Sequence, residues 1–453
     1  MMPGKINFVP YTAMDENTEE KLILIAKRVK ENPREKFTSL VHLLNADYLK
    51  NCYKQLKRGK AAGVDGRKVE SYTDEEINKV SGETARSIQA RRYQPKPVKR
   101  VYINKEGGKL RPLGMPTVVD KVVQLGVTRI LEQIYESEFL PVSYGYRKGK
   151  DPHQCLKEIN HMIMGQKLNW IIDADIKGFF DNINHEWMMR CLSERIADPN
   201  LKELIRRFLK AGIMEEGRLS KTAEGTPQGG IVSPLLANIY LHYVLDLWFE
   251  RRVKIHIKGF AQIVRFADDF VIGVQHKWEA DRILKDLAER LKQFGLELSP
   301  EKTRIIEFGR FACENVKRTG SKRPETFDFL GFTHYCSKTK DGRYMVRLKT
   351  ARKRVNRAFI EMNQWLKSVR NLVKLENIWK TLALKMQGHY NYYGVSGNFE
   401  SIKGFYGKTL KLTFKWLNRR SQKKSWNMES FGKYLKTYPL PEPKLTYAIY
   451  NTW

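Results

Sequence analysis

The chain has 453 residues, of which 42% are hydrophobic. That is enough for a large buried core and more than one domain or subdomain, and it excludes a wholly disordered protein. Lys and Arg number 82 against 50 Asp and Glu, a net charge of +32. Such a surplus asks for a polyanionic partner, and without a long apolar span or a strongly amphipathic basic helix that partner reads as nucleic acid, not a membrane.

The opening Met1–Phe8 stretch has no apolar signal segment, so a cytoplasmic protein is expected. Five scattered cysteines (Cys52, Cys155, Cys191, Cys313, Cys336) form no C-x-x-C pair. This argues against a zinc site or disulfide framework and suits a reducing compartment. Residues 1 to 55 carry helical periodicity, with Leu22, Ile23, Ile25, Ala26 and Val29 on one stripe, then Leu40, Val41, Leu43 and Leu44.

Gly59-Lys-Ala-Ala-Gly-Val-Asp-Gly66 is a basic, turn-rich loop leading towards a helix near Asp74. Its amides and Lys60 can hold a phosphate, although an ordinary glycine-rich loop reads equally well. Next, Arg91-Arg-Tyr-Gln-Pro-Lys-Pro-Val-Lys-Arg-Val-Tyr102 interleaves cations with rings. Arg91, Arg92 and Lys96 suit backbone phosphates of a single strand; a solvated basic edge strand is the alternative. A hairpin is expected over Val101–Gly114, turning at Gly107-Gly108 with Lys105 and Arg111 on its flanks. A helix follows through Val122 to Ile134, and Tyr144-Gly-Tyr-Arg-Lys-Gly149 is again basic and aromatic, with Arg147 as a further nucleic-acid contact.

Trp170 to Ala174 reads as a buried strand with Asp175 at its end. Asp173 alternates onto the same face as Asp175, and a helix N-cap is the other reading of Asp175. Gly225-Thr-Pro-Gln-Gly-Gly230 opens a helical pattern through Leu236, Ile239, Tyr240, Tyr243 and Leu247. In Gln262–Val274, two acids interrupt an apolar run, which reads as a hairpin with Asp268 and Asp269 at its tip. Adjacent acids repel, and a hard divalent cation removes the objection; a solvated Asp-Asp turn is the plainer reading. Together with Asp175, the pair can place three carboxylates around two magnesium ions, the arrangement for in-line phosphoryl transfer. An amphipathic helix over Ala280–Phe294, a turn carrying Lys302, and one buried strand over Thr326–Phe332 follow. Lys302 can protonate a leaving pyrophosphate or simply lie exposed.

From Asp341 onward the chain holds 23 Lys and Arg against 6 Asp and Glu. Three helical stripes appear there, at Val355–Leu366, Ile378–Met386 and Leu410–Leu417. Basic outer faces on packed helices suit a groove that tracks a nucleic-acid backbone. His389, Tyr390, Tyr392 and Tyr393 read as core packing, with stacking on RNA as the alternative.

These motifs occur in a fixed order. Asp175 with Phe180, Gly225–Gly230, Phe266-Ala-Asp-Asp269 and Gly295-Leu-Glu-Leu-Ser-Pro-Glu-Lys302 resemble a reverse transcriptase palm, closest to the reverse transcriptase/maturases encoded by group II introns. Phe266 stands where that family usually has Tyr. Gly59–Gly66, Lys109-Leu-Arg-Pro-Leu-Gly-Met-Pro116 and Tyr144–Gly149 extend the match over roughly residues 55 to 335.

The resemblance implies an α+β right-hand polymerase: an N-terminal helical extension of the fingers over 1–55, fingers and palm with an antiparallel sheet over 56–340, and an α-helical basic thumb/maturase domain over 341–453. It implies catalytic and metal-binding roles for Asp175, Asp268 and Asp269, with two Mg2+ ions or Mn2+ in their place. Lys105, Arg111, Phe180, Gln228 and Lys302 would serve the incoming dNTP, Phe180 lying beneath its sugar where a 2′-hydroxyl would not fit. Partners would be an RNA template, a DNA or RNA primer and the group II intron RNA, in a ribonucleoprotein of the bacterial cytoplasm. With no zinc-type nuclease motif after Trp453, the short form of the family is expected, without the C-terminal nuclease domain of some longer members. Two rivals share these motifs: a related enzyme of defence or DNA repair without an intron, and a splicing factor with an idle polymerase site.

Overall fold

The computed structural model describes residues 16–104, 110–215, 218–220, 225–226, 229–318, 320, 323–420 and 426–450. Helix α1 (Glu16–Glu31) buries Leu22, Ile25 and Val29 and leaves Ile23 and Leu24 exposed, so the expected stripe is narrower than its apolar content. Helix α2 (Ala46–Lys54) starts at Asn45, whose side chain accepts the Tyr48 amide, and α3 (Asp74–Gln89) starts at a Thr73/Glu76 capping box. Strands β1 (Val98–Asn104) and β2 (Leu110–Met115) pair antiparallel ahead of α4 (Val118–Tyr135). The expected turn of that hairpin, with Lys105, lies outside the described residues. Helices α1 and α2 lean on α4, and the Tyr48 hydroxyl donates to the Gly126 carbonyl at 3.1 Å.

Helix α5 (Pro152–Gly165) leads into β3 (Trp170–Ala174), followed by α6 (His185–Ser193), α7 (Pro199–Leu209), β4 (Ile213–Glu215) and β5 (Arg218–Ser220). Strand β4 lies parallel to β1, giving a sheet of order β2-β1-β4-β5. Helix α8 (Ser233–Leu241) runs on through π-helical turns His242–Asp246 and Phe249–Val253 into β6 (Ala261–Phe266), β7 (Asp269–Val274), α9 (Lys277–Gln293) and β8 (Arg304–Glu307). The second sheet has order β6-β7-β3-β8, all neighbours antiparallel.

That sheet is apolar on both faces because two different cores meet it. Ile172, Ile263 and Ile272 join the large core with α4, α8 and α9, whereas Ile171, Val264, Val271 and Ile306 pack with α5 and Phe327. Full burial of each such aliphatic side chain contributes about 1.5–3 kcal/mol.

After α10 (Ala312–Arg318), the structure departs from the single strand expected over Thr326–Phe332. The segment forms β9 (Phe327–Phe329), reverses at Leu330 and Gly331, and returns as β10 (Phe332–Lys338). Positive φ at both turn residues (48° and 80°) lets the chain reverse there, and Phe332 then pairs with Phe329. Strand β11 (Tyr344–Thr350) completes a β11-β10-β9 sheet, a hairpin that straddles residue 341.

Among the described residues four helices follow where three were expected: α11 (Arg352–Val369), α12 (Leu375–Tyr393), α13 (Phe399–Leu417) and α14 (Met428–Thr437). Tyr390 and Tyr393 are buried, and His389 stacks on Phe405 with 3.7 Å between rings, so that cluster packs the core. Helix α5 ties this region down: His153 Nε2 meets the Tyr392 carbonyl at 2.8 Å, and its ring stacks on Tyr447. Among the described residues, no helix is long and apolar enough to cross a membrane. The chain is α+β, as the sequence implied.

Two buried histidines make stability depend on acid. His334 lies flat on Phe327, and burial pushes it down to about 3; burial lowers His242 to about 4. The unfolded chain protonates near 6.5 and the fold does not, so this stability is present above about 6.5 and is lost as pH falls towards the folded values. His334→Phe is expected to flatten the fall in melting temperature between pH 6.5 and 4; an unchanged slope would place the acid sensitivity elsewhere.

Candidate active site

The strand register does most of the assembly. Ala174 of β3 stands opposite Phe270 of β7, so one step further Asp175 comes level with Asp269. The β6–β7 hairpin closes at Phe266 opposite Asp269, which puts its two-residue loop at Ala267 and Asp268, with Asp269 as the first residue of β7. The expected tip is therefore displaced by one residue, and Ala267 carries a left-handed φ of 59°.

Segment 295–302 runs beside Asp175. The Ser299 amide donates to the Asp175 carbonyl at 2.8 Å, the Lys177 amide to the Glu297 carbonyl at 2.8 Å, and Ile176 bridges to Leu298. This contact carries Lys302 Nζ to 2.7 Å from Asp175 Oδ2. Asp173, on the same face, is drawn to Arg304 instead, 3.4 Å from Oδ2.

The electrostatics show that the carboxylates share one site. Burial pushes Asp269 up to about 7, with repulsion from Asp268 and Asp175 adding to it and Lys302 and Arg354 pulling against it. Burial also raises Asp268; the Asp175 charge adds, while Arg111 and Arg265 oppose. The Asp269 side chain nevertheless opens to solvent, so a counter-ion can reach it. Arg111 of β2 thus lies within electrostatic reach of Asp268. Arg354, in the first turn of α11, brings a charge from the C-terminal helices to Asp269.

Phe180 sits in a short 3-10 turn, Phe179–Asp181, at the foot of β3. It is 8% exposed, packed edge-on against Phe179 at 5.4 Å. Its carbonyl accepts the Thr226 amide at 2.8 Å, and Gly225 is held by Ile183 and His185. A Cβ at Gly225, where φ is 84°, would lie 2.7 Å from the Asp181 carbonyl, and one at Gly229 would lie 2.5 Å from that of Gly114. Glycine is what allows this loop to sit between β2 and the Phe180 turn. Gln228 itself lies outside the described residues.

Lys60, Arg91, Arg92 and Lys96 are exposed, on the segments flanking β1 and α4. The Lys60 loop is pinned by Lys121, whose Nζ donates to the Ala61 carbonyl at 3.1 Å. Tyr93, between Arg92 and Lys96, is core: its hydroxyl donates to Asp120 Oδ1 at 2.6 Å. Arg147 departs from its expected place on nucleic acid. All five of its donors go to Glu136 and to the carbonyls of Glu136, Leu140 and Ser143, and its side chain is 6% exposed.

Sequence reasoning passed over three residues here. Tyr146, in left-handed backbone (φ 55°), holds its phenol in the field of Asp268, Asp269 and Arg111; burial and Asp268 raise it. Arg354 carried no local signal. Arg265 did carry one: a charge amid Ile263, Val264 and Phe266 in a strand otherwise read as buried.

Among the described residues, no three His, Cys, Asp or Glu side chains converge as a metal-ligand group, and Lys302 engages Asp175. The donor chemistry still fits a hard divalent cation. The oxygens are carboxylates, and their mutual repulsion is what a cation relieves.

Residues 103–334 match the family model for reverse transcriptase (RNA-dependent DNA polymerase). Similar proteins include the group II intron-encoded protein LtrA of Lactococcus lactis subsp. cremoris, 30% identical over 84% of this chain and 74% of that protein. YkfC of Escherichia coli (strain K12) is 33% identical over 47% of this chain and 64% of its own length. The 91 kDa protein in the cob intron of Schizosaccharomyces pombe is 30% identical over 64% and 42%.

Proposed function

The chain belongs to the reverse transcriptase family, among its group II intron-encoded proteins, and on that premise we propose that Asp175, Asp268 and Asp269 are the centre at which it adds dNTPs to a primer 3′-hydroxyl on an RNA template. The observation that carries this reading is the shared field of the three carboxylates, brought together from β3 and the β6–β7 hairpin.

Two divalent ions held by these acids, Mg2+ or Mn2+ in its place, would supply activation of the attacking oxygen and stabilisation of the leaving one. Arg111, within electrostatic reach of Asp268, offers its guanidinium fork to the triphosphate, with Lys105 as a second charge. Lys302 stands where it can give a proton to the departing pyrophosphate once it leaves Asp175. Phe180 closes the floor beneath the sugar, and the role read for Gln228 is to meet base or template.

The path of the nucleic acid is read from charge: the exposed Lys60, Arg91, Arg92 and Lys96 and the basic helices α11–α14. Residues 1–55, 56–340 and 341–453 are read as finger extension, fingers with palm, and thumb/maturase region. Their second ligand is the group II intron RNA, bound so as to help it fold for splicing, in an intron ribonucleoprotein of the bacterial cytoplasm. The likeness to LtrA supports that part of the reading.

Primer extension on an RNA template with dNTPs and Mg2+, beside a binding measurement with a group II intron RNA, tests both parts. Extension and tight intron binding are expected. Tight binding with no extension would sink the polymerase assignment, and extension without preference for intron RNA would sink the splicing role.

A further inference from the structure

Arg265 is fully buried in β6. A guanidinium out of water is tolerated only where its donors are met. Here all five are. Nε donates to Asp246 Oδ1 at 2.7 Å; one terminal nitrogen donates to Asn238 Oδ1 at 3.0 Å and to the Ala267 carbonyl at 2.8 Å. The other donates to Ser143 Oγ at 2.8 Å and Asp246 Oδ2 at 2.5 Å. Asp246, at the end of a π-helical turn, is buried as completely.

Stability does not require such a pair. Apolar residues of the same volume usually replace a buried ion pair at no loss. What distinguishes this one is where one bond goes. Ala267 holds a left-handed backbone in the loop that presents Asp268 and Asp269, a strained conformation for a residue with a Cβ and one more often taken by glycine in such loops.

The turn is fixed from two sides. Arg265 holds the Ala267 carbonyl, and Gly145 backs the Ala267 amide so closely that a Cβ there would lie 2.3 Å from the nitrogen. Asn238 completes the link, donating to the Gly145 carbonyl at 2.6 Å while accepting from Arg265. The main chain adds Tyr144 N–H to the Arg265 carbonyl at 2.9 Å and Arg265 N–H to the Val142 carbonyl at 2.8 Å. Loop 142–147 and the acidic turn are therefore tied together, with Arg265 as the joint.

We propose that Arg265, held by Asp246, is a positioning residue for nucleotidyl transfer: it fixes the strained Ala267 turn and so sets where Asp268 and Asp269 stand. The inference rests on the polymerase reading above. Its role is exerted through the turn, without contact to substrate.

The test is the double variant Arg265→Met/Asp246→Leu, which leaves no buried charge unpaired. Melting temperature and RNA affinity should stay near wild type. The kcat of primer extension should fall by about a hundredfold, the cost of misplacing reacting groups by roughly an ångström. KM for dNTP should change by less than about threefold, since ground-state binding uses other residues. Arg265→Lys keeps a charge for Asp246 but loses the fork, and is read in the same way should the double variant fold poorly. A folded variant with wild-type kcat overturns the proposal, as does a kcat that falls only in step with RNA affinity and melting temperature. No extension by the wild type overturns the polymerase reading, and this inference with it.

Discussion

Asp268→Ala is expected to reduce DNA synthesis by a factor on the order of a thousand or more while leaving RNA affinity almost unchanged. Asp268 lies in the two-residue loop between β6 and β7, beyond the last paired residues Phe266 and Asp269, so its side chain supports no ladder contact. Its carboxyl is raised by burial and by the Asp175 charge, a combination that disfavours the anion unless a cation is present. Burial and the Asp175 charge outweigh the attraction of Arg111 and Arg265, so the acid adds little to stability, and removing it relieves repulsion on Asp269. The metal-free protein should therefore melt at the same temperature or slightly higher. RNA affinity comes chiefly from Lys and Arg on phosphate and should persist. A parallel fall in RNA binding and melting temperature would show that the acid is structural.

Phe180→Ala is expected to let ribonucleotides into the growing strand, narrowing the preference for dNTP over rNTP by on the order of tenfold to a hundredfold. The ring is nearly buried beside Phe179, and its main chain is clamped by Thr226. The backbone should therefore stay in place when the ring is removed, leaving space where the 2′-hydroxyl would sit. Truncation also opens a cavity, at a cost of about 3–5 kcal/mol where the surroundings do not relax. The quantity to measure is therefore the ratio of kcat/KM for rNTP to that for dNTP in the same preparation, in which loss of folded protein cancels. An unchanged ratio would make Phe180 a core residue like Phe179 and end its assignment as the sugar gate.

The Phe180 and Asp268 experiments separate two kinds of dependence. One acid is asked to hold charge in a place the fold does not need it; one ring is asked to occupy volume in a place the fold partly does. The Arg265 variants add a third kind, in which the group acts on the chemistry only through another residue's backbone.

By itself the sequence determined the periodic features and the ordered motifs. Burial of an amphipathic helix follows from spacing along one chain segment, so α4, α9 and α11 to α13 were legible locally, whereas α14 was not. The acids at 175, 268 and 269 stood out because each ends or interrupts an apolar strand and because their motifs occur in a fixed order, although each alone has a plain local reading. The net charge of +32 announced a polyanionic partner before any fold was known.

Only the tertiary structure decided which polar groups face each other. Lys302 reaches Asp175 across 127 positions of sequence, and Arg265 reaches Ser143 across 122. No periodicity encodes such distances. Arg147 looked like a nucleic-acid contact because composition does not say which way a side chain turns. In the fold its guanidinium turns inward to carbonyls only 4 to 11 residues away. The Thr326–Phe332 run was apolar enough for one strand, yet positive φ at Leu330 and Gly331 folded it into two. The close approach of Gly145 to Ala267 likewise appears in neither segment alone. Hydrophobic burial is non-directional and is read from spacing, whereas hydrogen bonds, ion pairs and steric fits need both partners placed in three dimensions. The acids could therefore be named from the chain, and what holds them in position could not.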